Sequence, residues 1–138
     1  MVLIRRLALL VLVTTVLALG CTTHGHQIYN VNAAPVATKS GKALSIADVS
    51  QAIVRAGASV GWIIAPDGPG QLTGRYISGR DGRHSATVSI EHDTKVYAIK
   101  YKDSQGMNAE AGDNTIHRAY NQWVQSLDKA IAGQFGTM

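Results

Sequence analysis

The chain has 138 residues, with 13 Lys and Arg against nine Asp and Glu, for a formal net charge of +4. This small excess is not the dense basic surface of a nucleic-acid-binding domain, and the length suits one hydrophobic core but not two. The composition therefore predicts a single domain that does not bind nucleic acid.

The first residues of the chain have the pattern of an export signal. Arg5 and Arg6 supply a positive start, and the uncharged apolar run of residues 7–19 follows them. This run is shorter than the roughly 20 apolar residues that a transmembrane helix needs, but it has the length and flanks of a signal-peptide core. We predict that residues 1–20 are a cleaved signal peptide, which leaves a mature chain with a net charge of +2.

Cys21 directly follows this predicted signal peptide and is the only cysteine of the chain. It can form no internal disulfide, and a single leftover thiol is unusual in an exported protein. Residues 17–21, Leu-Ala-Leu-Gly-Cys, resemble the lipobox of bacterial lipoproteins, although Ala18 and Leu19 stand in the reverse of the preferred order. The resemblance implies that Cys21 is lipidated and holds the protein on a membrane. The alternative is a free or buried cysteine in a cleaved signal peptide.

Residues 21–43 have the composition of a flexible tether. They are rich in Thr, Asn, Gly, Ala and Ser and hold few large apolar side chains, and segments of this kind behave as loose linkers. At roughly 3.3 Å per residue, about 20 extended residues would hold a domain about 65 Å from the bilayer. Residues 27–31 alternate weakly between polar and apolar, so an edge strand there stays an open alternative.

The domain itself is predicted to cover residues 44–135 and to begin with a helix. Ser45 and Asp48 have the spacing of a capping box, with Ser45 as the N-cap. Apolar residues then recur at helical spacing from Ile46 to Val60, and Gly61 is placed to end the helix.

Residues 62–102 change to the period of two that is typical of β-strands. A short apolar strand at residues 62–65 is followed by three alternating segments, with turn-forming residues at 67–70, 79–82 and 92–95. These segments predict a four-stranded antiparallel meander with one apolar face and one polar face. The inward residues of the alternating segments are Leu72, Gly74 and Tyr76, then Ala86, Val88 and Ile90, then Tyr97, Ile99 and Tyr101.

A second helix is predicted from about residue 114 to about Ile131. Its apolar positions keep the 3.6-residue period from Ile116 through Tyr120, Trp123 and Leu127. Because one face of the sheet is apolar and both helices are amphipathic, the pattern favours an α+β fold with both helices on that one face.

Two C-terminal stretches support a family resemblance. Residues 97–104 form a tyrosine-rich strand that runs toward Met107 and Asn108, and residues 116–124 begin a helix with the pattern Ile-His-Arg-x-Tyr-Asn-x-Trp. Together with Gly61-Trp62 they resemble a group of small uncharacterised proteobacterial lipoproteins. The resemblance implies a lipid-anchored domain that faces the periplasm, and it implies no activity. Thr22, after the lipidated cysteine, resembles the residue choice of lipoproteins sorted to the outer membrane.

Several polar and aromatic side chains near the second helix are candidates for a binding site. Aromatic residues could line a ligand cleft between the sheet and this helix, although such residues more often form the core of a small domain. His117, with Asp103 and Ser104 in the preceding loop, raises the alternative of a hydrolase, but no nucleophile elbow surrounds Ser104. We favour hydrogen bonding by His117 and Asn121 that locks the connection into the helix. The candidate binding residues are Tyr97, Tyr101, Ser104, His117, Arg118, Asn121 and Trp123.

The polar sheet face carries a second candidate surface. Its basic residues could meet anionic lipid or an acidic partner, although a solvated charged face is the more common role. No cofactor or metal site is expected, since His24 and His26 lie in the tether without a third ligand. The candidate basic face consists of Arg75, Arg83, Lys100 and Lys102.

These patterns lead to one functional hypothesis and two alternatives. We expect a lipid-anchored, non-catalytic binding or scaffolding module of the cell envelope, on the periplasmic face of the outer membrane. Its partners would be the membrane, through the anchor on Cys21, and an envelope protein or anionic lipid. The alternatives are a small-ligand carrier with the cleft described above and, with less support, a hydrolase centred on His117.

Overall fold

The computed structural model describes residues 25–138, which form an α+β domain with two helices and two sheets. The predicted signal peptide and Cys21 lie outside these described residues. Within the described part of the chain, neither helix is both long and apolar enough to cross a membrane. In chain order the elements are β1 (His26–Gln27), β2 (Val31–Pro35), α1 (Ile46–Ser59), β3 (Ile63–Gly68), β4 (Gln71–Ser78), β5 (His84–His92), β6 (Val96–Gln105), β7 (Thr115–Ile116) and α2 (Arg118–Phe135).

The larger sheet is antiparallel and has five strands in the order β2-β6-β5-β4-β3. The predicted four-stranded sheet was therefore wrong, because the meander of β3 to β6 gains β2 at its outer edge. Val31 pairs with Ile99 and Pro35 with Val96. Composition predicts a tether for residues 31–35, and their sequence, Val-Asn-Ala-Ala-Pro, carries no alternating apolar pattern that would indicate a strand. Edge strands of this kind are held mainly by backbone pairing, which leaves little trace in side-chain patterns.

The smaller sheet joins the start of the described chain to the start of α2. In it β1 pairs with β7, with His26 opposite Ile116 and Gln27 opposite Thr115. The backbone N–H of Ile28 adds a hydrogen bond of 2.9 Å to the carbonyl of Asn114. Residues 25–35, which composition had placed in a tether, are therefore attached to the domain along most of their length.

Helix α1 agrees with the sequence prediction. Ser45 is the N-cap, and the capping box with Asp48 is complete, since the Ser45 hydroxyl accepts from Asp48 N at 3.1 Å and Ser45 N donates to the Asp48 carboxylate at 3.1 Å. Hydrogen bonding to the Ser45 side chain and then to its backbone lowers the pKa of Asp48 below its ordinary value. The chain leaves the helix at Val60, and Gly61 follows with a φ of +87°.

Helix α2 begins and ends later than the apolar pattern indicated. Ile116 belongs to β7 and His117 is the N-cap, so the helix starts at Arg118. Ile116 is fully buried four residues before Tyr120, and a buried strand residue at that spacing cannot be told from a helical one by periodicity. At the other end, Phe135 continues the buried stripe four residues beyond Ile131.

Both helices pack on the same face of the large sheet and share one core with it. The inward residues of β4, β5 and β6 are those that the period of two selected, and Leu72, Val88, Ile90 and Ile99 are almost fully buried. The opposite face, which we call the outer sheet face, carries polar and charged side chains together with Ile63 and Ile77. The helical residues buried in the core are Val49, Ala52, Ile53, Ala56 and Gly57 of α1 and Tyr120, Val124, Leu127, Ile131 and Phe135 of α2.

Candidate functional site

Tyr97 is a core residue with an internal hydrogen bond. Its side chain is 1% exposed, and its ring lies 5.9 Å from that of Phe135. The hydroxyl donates to the Asp128 carboxylate at 2.6 Å. Burial raises the pKa of Tyr97 above its ordinary value, and the Asp128 carboxylate raises it further. Tyr97 therefore joins β6 to α2 and is not available to a ligand.

Tyr101 and Ser104 hydrogen-bond to each other on the inner side of β6, at 2.9 Å between their hydroxyl oxygens. The ring of Tyr101 meets that of Tyr120 edge to face, with centroids 5.4 Å apart. In the described part of the chain Ser104 forms no hydrogen bond with His117. The predicted neighbourhood of Ser104 and His117 is thus not linked in the way that a nucleophile and its base require.

Tyr97 and Tyr120 offer a matched test of how buried hydroxyls contribute to stability. The Tyr120 hydroxyl is buried and has no hydrogen-bond partner among residues 25–138. We expect Tyr97→Phe to lower the free energy of unfolding by about 1.5–3 kcal/mol, because the bond to a carboxylate is lost. Tyr120→Phe, which removes the same atom, should leave the free energy unchanged or raise it by up to about 1 kcal/mol. Urea unfolding measures both variants, and equal losses would contradict this assignment.

Trp123 lies at the end of a row of three aromatic rings. Its ring centroid is 4.6 Å from that of Tyr76, which in turn lies 5.4 Å from Trp62. Trp62 is almost fully buried, whereas Tyr76 and Trp123 are partly exposed. This row packs β4 against α2, so Trp123 covers the edge of the core.

Asn121 holds the N-terminal segment of the domain onto α2. Its side-chain oxygen accepts from Tyr29 N at 2.9 Å, and its Nδ2 donates to the carbonyl of Gln27 at 2.8 Å. Sequence reasoning expected Asn121 to lock the connection into the helix. The side chain instead fixes a segment more than 90 residues earlier in the chain, a pairing that no local pattern could indicate.

His117 and Arg118 lie beside an open cleft of about 870 Å³ at the N-terminal end of α2. His117 caps the helix, since its Nδ1 accepts from Ala119 N at 3.2 Å, and its backbone N–H donates to the carbonyl of Met107 at 2.8 Å. The cleft is bordered by charges of both signs. Its charged and titratable lining residues are His26, Glu110, Asp113, His117 and Arg118.

Within residues 25–138, no group of three or more His, Cys, Asp or Glu side chains is placed to hold a metal ion. His26 pairs through its backbone with Ile116 and has acidic neighbours across the cleft. The cleft therefore offers a mixed polar surface.

The residues of the predicted basic face lie partly on the outer sheet face and partly in the β4–β5 turn. Arg75, Lys100 and Lys102 are exposed on β4 and β6, and acidic side chains lie among them. Arg75 aligns across β5 with Asp103, and Lys100 lies beside the row of Glu91. Arg83 lies in the β4–β5 turn, where it forms an ion pair with Asp81. These residues do not form one continuous basic surface.

A polar pair that the sequence analysis did not single out connects α1 to the sheet. The Ser50 hydroxyl lies 2.6 Å from His92 Nε2, and His92 Nδ1 lies 3.2 Å from the carbonyl of Asp93. The sequence did indicate that the His92 side chain faces inward, because His92 continues the alternation of Ala86, Val88 and Ile90. The pair is a hydrogen bond that joins α1 to the end of β5.

In comparisons with known proteins, no family model, curated protein or solved structure matches the chain.

Proposed function

We propose that the protein is a lipid-anchored, periplasm-facing module of the cell envelope that binds a partner without catalysing a reaction. The observation that carries the proposal is the uncharged apolar run of residues 7–19, which ends just before the only cysteine of the chain, Cys21. A thiol is the group that can carry a thioether-linked diacylglycerol. The resemblance to small proteobacterial lipoproteins, and Thr22 after the cysteine, support a location at the outer membrane.

The packing of the candidate residues supports a binding role over the two alternatives. Tyr97 and Tyr101, which would line a carrier cleft, are engaged in internal hydrogen bonds and aromatic contacts. His117 uses Nδ1 to cap α2, and a general base needs a nucleophile within hydrogen-bond reach. Neither arrangement favours a carrier or a hydrolase.

The outer sheet face is the surface best suited to a protein partner. Neither α1 nor α2, the helices of residues 25–138, covers it, and it combines charged side chains with two large apolar residues, Ile63 at 66% and Ile77 at 46% exposure. Arg75 pairs with Ile63 across β3 and β4, so apolar and basic groups alternate there. Such a mixture of Arg with apolar side chains is typical of protein interfaces.

The anchor is tested by replacing Cys21 in the full-length precursor expressed in a Gram-negative host. Wild-type protein should incorporate an alkyne fatty acid and sediment with membranes. Cys21→Ser should incorporate none and should accumulate at precursor size, because the lipoprotein peptidase cleaves only before a lipidated cysteine. Thr22→Ser is the matched control and should behave as wild type. Release of an unlabelled wild-type domain into the periplasm would refute the proposal.

A further inference from the structure

We infer that one end of the domain, which we call the anchor end, lies directly against the headgroups of the bilayer. The anchor end consists of the β1–β7 sheet, the loop of residues 106–114, the first turn of α2 and the β4–β5 turn. The inference rests on the lipidation of Cys21 proposed above. It replaces the long tether that composition had indicated with a short attachment that restricts how the domain is oriented.

The first step is the distance between the anchor and the fold. The chain packs against the domain at Gly25, where an added Cβ would lie 2.8 Å from the Thr115 side chain. Strand β1 begins at the next residue, His26. Four residues therefore separate Cys21 from β1. Whatever conformation they adopt, the Cα atoms of Cys21 and Gly25 lie no more than about 14 Å apart.

The second step is to identify what lies at this end of the molecule. Pairing of His26 with Ile116 places β1 beside the N-cap of α2, and the backbone of His117 bonds to Met107. The loop at Gly106 packs in turn on the backbone of Arg83 in the β4–β5 turn. The start of the chain, the loop before β7 and this turn therefore share one end of the sheet.

The third step concerns the opposite end of the domain. In an upright domain this end lies too far from the anchor to touch the membrane. Strand β5 has nine residues between the two ends, and at about 3.3 Å per residue it places them about 30 Å apart. The far end carries the β5–β6 turn around Thr94. It also holds the C-terminus, where Met138 accepts a hydrogen bond from Ser40.

The fourth step concerns the side of the domain on which the chain emerges. Gln27 and Tyr29 bond to Asn121 on α2, so the N-terminal segment runs along the helix layer. The outer sheet face lies on the other side of the sheet from these helices. With the strands upright, this face is directed sideways, parallel to the bilayer plane, and it stays open to a partner.

The charges of the anchor end are compatible with a bilayer surface. Three arginines, Arg80, Arg83 and Arg118, are balanced by Asp81, Glu110 and Asp113. A formally balanced end is not repelled by anionic headgroups, and arginine side chains there can bond to lipid phosphates. Orientation thus follows from the length of the attachment and needs no strong basic patch.

Site-specific fluorescence in vesicles tests this orientation. The acylated sulfur of Cys21 is blocked, and the chain has no other cysteine, so one engineered cysteine can be labelled selectively. The variants are Asp113→Cys at the anchor end, Thr94→Cys at the far end and Ile63→Cys on the outer sheet face, all at exposed positions. Each full-length lipidated variant is reconstituted into phosphatidylethanolamine and phosphatidylglycerol vesicles that contain a headgroup-attached quencher.

We expect severalfold stronger quenching at position 113 than at position 94, and intermediate quenching at position 63, since Ile63 aligns through Arg75 with Thr87, three residues from the anchor end of β5. Equal quenching at the three positions, or strongest quenching at 63, would overturn the inference. An insertion of about 20 Gly and Ser residues between Thr22 and Thr23, which spans about 25 Å on average, should reduce quenching at 113 to the level of 94. Persistence of strong quenching with the insertion would also contradict an orientation imposed by attachment length.

Flotation with the vesicles separates the two proposals. A protein that carries no lipid will not float, in which case the proposed function and this inference both fail. A protein that floats and is quenched equally at all three positions retains the anchor but not the orientation. The inserted variant should float as well as wild type, since its anchor is unchanged.

Discussion

Phe135→Ala is expected to lower the free energy of unfolding by about 3–5 kcal/mol, as removal of a fully buried aromatic side chain does. Phe135 is 0% exposed and contacts the ring of Tyr97. It belongs to the core cluster and closes it at the end of α2. A loss of this size is a large share of the 5–15 kcal/mol that stabilises an ordinary domain.

Urea unfolding of the domain of residues 25–138, followed by tryptophan fluorescence, measures this loss. Lys129→Ala is the matched control, because Lys129 is exposed on the same helix, and its expected effect is within about 0.5 kcal/mol. If Phe135→Ala cost no more than Lys129→Ala, the last turn of α2 would not be packed on the core.

Gly70→Ala is expected to cost about 3 kcal/mol, the upper part of the range for a strained backbone position. Gly70 lies between β3 and β4 with a φ of +69°, a conformation that disfavours a Cβ. An added Cβ would also lie 2.6 Å from the carbonyl oxygen of His92, which belongs to the backbone and cannot rotate away. The substitution would therefore disturb the hydrogen bond from His92 N to the Gly70 carbonyl, which is 2.9 Å long.

Gly41→Ala separates the two causes of this loss. Gly41 has almost the same φ, +66°, but nothing lies within 4 Å of a Cβ added there. Its substitution should cost only about 1 kcal/mol, which is the penalty of left-handed backbone alone. Thermal unfolding of both variants gives the two losses of unfolding free energy, and their difference is the cost of the contact between the added Cβ and His92. Equal losses would show that the backbone shifts to relieve this contact.

For the candidate binding residues, the sequence predicted which face of a strand they occupy but not which residues they contact. Patterns placed Tyr97 and Tyr101 on one face of a strand correctly, and their period of two also indicated that they would meet the core. What they contact depends on α2, because Asp128 and Tyr120 reach them only when the helix lies across β6. Asn121 and its bonds to residues 27–29 are the extreme case, since a polar contact over that separation leaves no periodic signal.

The sequence by itself predicted a signal peptide that ends before Cys21, and it determined helix α1 with its cap and the β3 to β6 meander. Each of these depends on charge, side-chain chemistry or apolar repeats within a short stretch of chain. Only the tertiary structure decided that residues 26–35 join the domain, because β1 and β2 are held by backbone hydrogen bonds to β7 and β6. Every residue except proline carries the same backbone N–H and C=O groups, so their pairing cannot be deduced from composition. In the lipid-anchored protein that we propose, that pairing shortens the attachment between Cys21 and the domain.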